Sequence, residues 1–148
     1  MVNYWIFPSL CISLSVKRGV IGKWYLARQT VERCDIEIKK GDKVILYQPS
    51  EVWGETQKFG YCYVGNFTIV SEPFIETRGN EGYTMYIQDF NLWKIFLTKD
   101  EEESLDTKIP KDSEFGRLIT TKVVISIEKE DYEKIAEYYG KKVEQELH

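Results

Sequence analysis

The stretch GDKVILYQPSEVWGETQKFGYCYVGNFTIVSEPF, residues 41–74, predicts the centre of the fold. Residues 44–47 form a short apolar run that follows a Gly-Asp turn, as a buried strand does. Residues 60–70 form a second run, rich in Tyr, Val, Phe, Thr and Ile, in which Gly65 indicates a bulge. Between the two strands we predict a polar loop carrying Trp53, which either packs over the strand ends or binds a ligand.

Upstream of this stretch, the sequence predicts one strand and one helix. Residues 3–7 (NYWIF) have the composition of a first strand, and Pro8 ends it because proline cannot donate to a sheet ladder. Residues 28–38 carry apolar side chains at helical spacing, and we expect Gly41 to mark the C-terminal end of that helix.

Downstream, residues 83–96 partly alternate between apolar and polar side chains, which predicts a long half-buried strand. Asp89 and Asn91 suggest a bend within it. Residues 117–127 are β-branched and predict a closing strand.

From residue 128 onward the pattern is helical, and we expect Gly140 to break the helix. The apolar face of this helix consists of Tyr132, Ile135, Ala136 and Tyr139. This order of elements predicts an α+β fold, a small and strongly curved mixed sheet or partial barrel with helices packed on it.

Length and composition predict one domain over residues 1–148. A chain of this size buries about 70% of its unfolded surface, and a hydrophobic content of 43% argues against disorder. No run approaches the roughly 20 apolar residues that span a bilayer. The start lacks the basic segment of a signal peptide. We therefore expect a cytoplasmic protein with no membrane partner.

The side-chain inventory offers little for catalysis, metal binding or cofactor binding. The only histidine is His148, which leaves no internal Ser-His, Cys-His or zinc deaminase arrangement. The three cysteines, Cys11, Cys34 and Cys62, lack CxxC spacing, so we expect buried free thiols. There is no glycine-rich phosphate loop. We expect that the protein is not an enzyme and binds no cofactor. A small hydrolase that uses carboxylates is the alternative.

Aromatic side chains are abundant, with four Trp, ten Tyr and seven Phe. Several lie beside turns, glycine, proline or charges: Trp24, Tyr25, Trp53, Phe74 and Tyr83. An aromatic face stacks on a nucleobase for about 1–3 kcal/mol, and two or three such contacts offset the cost of pulling a base out of a duplex. An apolar cage also favours a methyl group by about 0.8 kcal/mol per buried carbon. The aromatic residues therefore predict binding of a modified, flipped base.

The charge distribution is uneven, although the net charge is −4. Residues 1–43 hold eight basic and four acidic groups, a net charge of +4, whereas residues 72–148 hold 18 acidic and 11 basic groups, a net charge of −7. A positive face on an acidic body can attract phosphate groups locally. The candidate phosphate contacts are Lys17, Arg18, Lys23, Arg28, Arg33 and Lys58.

The runs GDKVILY and YVGNFTIVSEPF resemble the central hairpin of the EVE domains, which are relatives of the YTH and PUA domains. Residues 3–7 resemble the opening strand of that family. Residues 115–119 (FGRLI) and 127–135 (IEKEDYEKI) resemble its closing strand and terminal helix. The resemblance therefore touches nearly the whole chain in the family's order.

The resemblance implies a PUA-like barrel that holds one modified base in an aromatic cage beside the first strand. The segment that follows this strand, including Ser9, falls where YTH proteins contact the base edge. Ile21 stands where these families usually have a cage Trp, so Trp24 or Tyr25 substitutes for that ring, or the cage forms around Trp53. The base-binding residues that we predict are Trp24, Tyr25, Trp53, Ser9, Phe74 and Tyr83.

Some archaeal McrB-type restriction proteins carry an EVE-like or YTH-like domain ahead of an AAA+ motor, and that domain selects methylated DNA. The resemblance thus implies the specificity module of a modification-dependent restriction system. A stand-alone EVE protein that binds modified RNA and a protein-interaction module are the alternatives.

Overall fold

The computed structural model describes residues 2–8, 22–34, 36–48, 52–53, 58–59, 62–78, 80–93 and 124–147. The strands are β1 (Tyr4–Pro8), β2 (Lys23–Ala27), β3 (Lys43–Gln48), β4 (Val52–Trp53), β5 (Lys58–Phe59), β6 (Cys62–Ile69), β7 (Phe74–Arg78), β8 (Asn80–Leu92) and β9 (Ile125–Ile127). The helices are α1 (Arg28–Glu32) and α2 (Lys129–Leu147).

The sheet is mixed and curled into a half-barrel. Its strand order is β2-β8-β6-β3-β1-β9, and β7 also pairs with β8. Strands β1 and β3 run parallel, whereas the other described pairs are antiparallel. The predicted α+β fold with a strongly curved mixed sheet is confirmed, and it is consistent with a PUA-like barrel.

Apolar side chains are buried on both sides of the central strands. Val44 and Leu46 of β3 face one cluster, and the alternate residues Ile45 and Tyr47 face another. A strand buried on both faces reads as a continuous apolar run, which explains the segment VILY. We call the first cluster the sheet core: Trp5, Phe7, Leu26, Ile38, Val44, Leu46, Val64, Phe67, Ile69, Met85, Ile87 and Val124.

The second cluster, the helix core, lies where α2 packs on the sheet: Ile6, Ile45, Tyr47, Tyr63, Trp93, Tyr132, Ile135 and Tyr139. The predicted apolar face of the helix is confirmed, since its three large residues are buried there and Ala136 packs against them. The Tyr139 ring stacks on the Trp93 ring with a centroid distance of 4.6 Å. Neither described helix is long and apolar enough to cross a membrane.

Both predicted irregularities in the strands are present. The β3–β6 register changes between Leu46 and Tyr47, which face Gly65 and Tyr63, so Val64 is the extra residue of a bulge. Asp89 has a φ of 55°, and the β6–β8 register shifts beside it. The bulge predicted at Gly65 and the bend predicted around Asp89 are therefore confirmed.

Two predictions about glycine were wrong. Helix α1 ends at Glu32 rather than near residue 38, and Gly41 has a φ of 95° in the turn before β3. There its N–H donates to the carbonyl of Ile69 at 2.7 Å, so it joins strands rather than ending a helix. Helix α2 continues through Gly140 to Leu147, because the other contacts of α2 outweigh the helix cost of about 1 kcal/mol for one exposed glycine.

The interval between the two central strands also differs from the predicted loop. Trp53 belongs to β4, which pairs antiparallel with β5 as a separate two-stranded ribbon. Most of the predicted strand 117–127 lies outside the described residues, although its last three residues form β9. Cys34 forms no disulfide within the described part of the chain, as expected, but it is half-buried rather than buried; Cys11 and the side chain of Cys62 lie outside that part.

Burial raises the pKa of the Tyr132 hydroxyl above its usual value of 10.0, despite an opposing hydrogen bond donated by Asn66. A raised pKa means that the unfolded chain loses this proton first. The contribution of Tyr132 to stability is therefore complete below about pH 10 and is lost as the pH rises towards the folded-state pKa. We expect Tyr132→Phe to flatten the fall in stability above about pH 10, measured by urea unfolding across the alkaline range. Parallel pH profiles of the two proteins would contradict this.

Candidate functional site

Three strands bring aromatic side chains to one side of the sheet. Tyr25 of β2 and Phe74 of β7 both lie directly opposite Thr84 of β8, one on each side of it. Directly opposed residues point to the same face of a sheet. The next residue on that face of β8 is Tyr86, which lies opposite Lys23 of β2. We call Lys23, Tyr25, Phe74, Thr84 and Tyr86 the aromatic face.

The aromatic face lies on the same side of the sheet as α2 but beyond it. Asn66 of β6 donates a hydrogen bond to the Tyr132 hydroxyl on α2, and Thr68, two residues on, lies opposite Gln88. Alternation along β8 from Gln88 then places Tyr86 and Thr84 on that side. No helix-core residue comes from β2 or β7 among the residues that the structure describes.

The rim of the aromatic face combines an exposed ring with a positive charge. The Phe74 and Tyr86 ring centroids are 5.6 Å apart, and Tyr86 is 46% exposed. The Lys23 ammonium lies 5.5 Å from the Tyr86 centroid, within the range of a cation–π interaction. This arrangement offers ring faces to a flat ligand and a cation to an attached anion.

The Tyr25 ring lies directly over Gly82, two residues before Thr84 on the same face of β8. A Cβ atom at position 82 would collide with the hydroxyl end of this ring and would lie 2.7 Å from the carbonyl oxygen of Leu26. Only a residue without a side chain leaves room for this packing. Gly82 therefore leaves the space that the Tyr25 ring occupies.

Thr84, at the centre of the aromatic face, is completely buried. Its hydroxyl oxygen has no hydrogen-bond partner among the described residues. A buried hydroxyl without a partner costs about 1–3 kcal/mol of desolvation. Such a group in a native structure calls for a physical explanation.

The predicted base-binding residues divide between the two faces of the sheet. Tyr25 and Phe74 lie together on the aromatic face. Trp24 directly precedes Tyr25 on β2, and Tyr83 directly precedes Thr84 on β8, so both point to the opposite side of the sheet. Trp24 is half-buried there against the sheet core, 5.2 Å from the Phe67 ring. Ser9 and the side chain of Trp53 lie outside the described part of the chain.

Phe74 and Tyr83 lie on β7 and β8, which pair antiparallel. Paired strands fix the direction of each side chain, so Phe74 points to the aromatic face and Tyr83 points to the opposite face.

The structure describes the side chains of three of the six predicted phosphate-contacting residues. Lys23, Arg28 and Arg33 are exposed. The Arg28 guanidinium binds Glu32 at 2.6 Å, which offsets its charge locally, whereas Lys23 lies on the aromatic face itself. Lys17, Arg18 and the side chain of Lys58 lie outside the described residues.

Three site residues escaped the sequence interpretation: Gly82, Thr84 and Tyr86. The segment GYTMY places them at alternate positions, with Tyr83 and Met85 between them. Strand periodicity could have grouped them on one face. It could not have shown which residues of β2 and β7 lie beside them, because that depends on register.

No group of three or more potential metal ligands occurs among the residues that the structure describes. No protein-family model matches this chain, and no curated protein matches it significantly. The chemistry of the aromatic face therefore rests on its own contacts.

Proposed function

We propose that this chain is a non-catalytic nucleic-acid-binding domain that holds a base on its aromatic face. The observation that supports this most is the row formed by Tyr25, Thr84 and Phe74, with Lys23 and the exposed Tyr86 ring at its rim. Aromatic faces bind bases without regard to sequence, and a nearby lysine binds the phosphate. The partner is nucleic acid, and the site of action is the cytoplasm.

The proposal includes recognition of a modified base. Two rings, one on each of the strands that flank β8, hold a flat ligand by its faces, and an added methyl group gains about 0.8 kcal/mol when buried between them. DNA is the preferred partner, with the chain acting as the specificity module of a modification-dependent restriction system, ahead of an AAA+ motor. The resemblance to EVE and YTH domains supports this finer part.

Removing either ring tests the interface. We expect Tyr25→Ala and Phe74→Ala each to weaken binding of a single-stranded oligonucleotide by about 1–3 kcal/mol, because each loses one stacking contact. Fluorescence anisotropy at low salt is the measurement. Matched DNA and RNA oligonucleotides, with and without N6-methyladenine or 5-methylcytosine, identify the polymer and the modification. Melting curves of both variants correct each affinity for the folded fraction.

Helix α2 supplies a matched control. Lys142 lies 5.9 Å from the centroid of the Tyr138 ring, which reproduces the lysine–tyrosine pair of the aromatic face on a different element. Tyr138→Ala should leave the affinity unchanged. Equal effects of the Tyr138 and Tyr25 substitutions would mean that any lysine–aromatic pair attracts the oligonucleotide, and the proposed interface would be rejected.

A protein-interaction module is the second candidate, favoured by Ile75. This β7 side chain is 61% exposed and points to the face opposite Phe74. An exposed branched aliphatic residue on a strand suits a protein partner better than a phosphate backbone. Absence of binding to every oligonucleotide at low salt would favour this candidate over the nucleic-acid interface.

A further inference from the structure

The two rings that flank Thr84 lie on either side of it along β8. The end of the Tyr25 ring lies over Gly82, two residues before Thr84. The Phe74 ring lies 5.6 Å from the ring of Tyr86, two residues after it. Thr84 therefore marks the place between the rings, at the base of the aromatic face.

A threonine hydroxyl at this place has an unused capacity. It can donate one hydrogen bond and accept others, yet it has no partner among the described residues. Valine has nearly the same shape and would avoid the desolvation cost. A polar ligand that reaches the hydroxyl would instead restore the missing hydrogen bond.

We propose that the Thr84 hydroxyl is the specificity-determining contact of this site and that it hydrogen-bonds to the polar edge of the bound base. This inference rests on the proposed function and adds how the site distinguishes a base from other flat apolar groups. The rings of Tyr25 and Phe74 contact the faces of the base, and Thr84 contacts a ring nitrogen, a carbonyl oxygen or an amino group on its edge.

Complete burial of Thr84 sets a condition on binding. Both flanking rings are only partly buried, whereas Thr84 has no exposed surface. A base therefore reaches the hydroxyl only when one of the side chains around it turns aside. Rotamer changes of partly exposed side chains are fast compared with dissociation of a bound ligand. When the base binds, it replaces the side chain that covers Thr84 in the free protein.

The test compares Thr84→Val with Thr84→Ser in the full chain. The probes are a single-stranded oligonucleotide with a central base and the same oligonucleotide with an abasic site at that position. We expect Thr84→Val to weaken binding of the first by about fivefold to tenfold, the range of a lost neutral hydrogen bond. Binding of the abasic probe should not change, and Thr84→Ser should keep the wild-type preference.

Stability gives a second readout that does not depend on a ligand. Thr84→Val removes a buried hydroxyl without a partner and should raise the melting temperature by about 3 °C. A lower melting temperature would mean that the hydroxyl already has a partner in the free protein and would overturn the inference.

The binding outcomes separate this inference from the proposed function. If Thr84→Val binds both probes as the wild type does while Tyr25→Ala and Phe74→Ala weaken binding, the interface stands and Thr84 does not determine its specificity. If the wild type binds neither probe at low salt, the proposed function fails and this inference fails with it.

Discussion

Replacement of Asp42 by alanine is expected to lower the free energy of unfolding by about 3–5 kcal/mol, because it removes a buried acceptor shared by three donors. The Asp42 carboxylate is completely buried. It accepts hydrogen bonds from the Asn3 backbone, the Trp5 indole and the Lys39 backbone, each at 2.9 Å. Alanine would leave these N–H groups without an acceptor.

The position of Asp42 explains why this loss spreads through the fold. Its backbone carbonyl also accepts from Ile69 of β6 at 2.8 Å, and the next residue, Lys43, donates to the carbonyl of Asn3. Asp42 thus ties the start of β1, the turn before β3 and the end of β6 together. The Trp5 indole that it holds is 1% exposed in the sheet core.

Urea unfolding followed by tryptophan fluorescence measures the effect. Asp42→Asn keeps the shape and one acceptor oxygen, so we expect a smaller loss, about 1–3 kcal/mol. Glu133→Ala is the control, since this exposed carboxylate contacts Lys129 at 3.8 Å on α2 and should cost less than about 0.5 kcal/mol. A loss below about 1 kcal/mol for Asp42→Ala would show that water replaces the carboxylate.

Replacement of Gly82 by alanine is expected to cost about 3 kcal/mol of stability, at the upper end of the usual range for overpacking. The new methyl group would meet the hydroxyl end of the Tyr25 ring and the backbone carbonyl of Leu26. A ring can turn aside, but the Leu26 carbonyl belongs to β2 and moves only with the strand. The β2–β8 pairing must therefore adjust as well.

The same substitution tests the aromatic face, because it displaces Tyr25 while keeping the ring in the protein. We expect Gly82→Ala to weaken oligonucleotide binding per folded molecule about as much as Tyr25→Ala does. Hydrogen exchange at the amides of β2 would show whether the strand has moved. Unchanged affinity would mean that the position of the Tyr25 ring over Gly82 does not contribute to binding.

Gly140→Ala is the matched control for this substitution. A Cβ at Gly140 meets nothing within 4 Å, and the residue is exposed in the middle of α2. Alanine there should raise stability by about 0.5–1 kcal/mol, because it restricts the unfolded chain and favours the helix. Opposite signs at the two glycines would separate the steric effect at Gly82 from the general effect of replacing glycine.

The sequence by itself determined the elements whose apolar pattern is strong. The run VILY predicted β3, because a strand buried on both faces carries apolar residues continuously. The spacing of Tyr132, Ile135 and Tyr139 predicted the buried face of α2. Gly65 predicted the bulge formed at its neighbour Val64, and Asp89 predicted the bend in β8, since Asp tolerates the left-handed backbone conformation that it adopts there.

Local pattern failed where a distant partner decides the outcome. The local pattern predicted that Gly41 ends a helix, yet its N–H donates a hydrogen bond to the carbonyl of Ile69 on β6. The same pattern predicted that Ile38 belongs to α1, yet Ile38 lies beyond the end of that helix and is buried in the sheet core. In both cases a contact with a residue far along the chain outweighed the local preference.

Only the tertiary structure decided which aromatic residues form one surface. Trp24 and Tyr25 are neighbours in sequence, but alternation along β2 sends one to the sheet core and the other to the aromatic face. Phe74 joins Tyr25 only because β7 and β2 pair with β8 at the same residue, Thr84. A shift of one residue in either register would exchange every side chain between faces. Register is set by long-range strand pairing, and composition alone does not contain it.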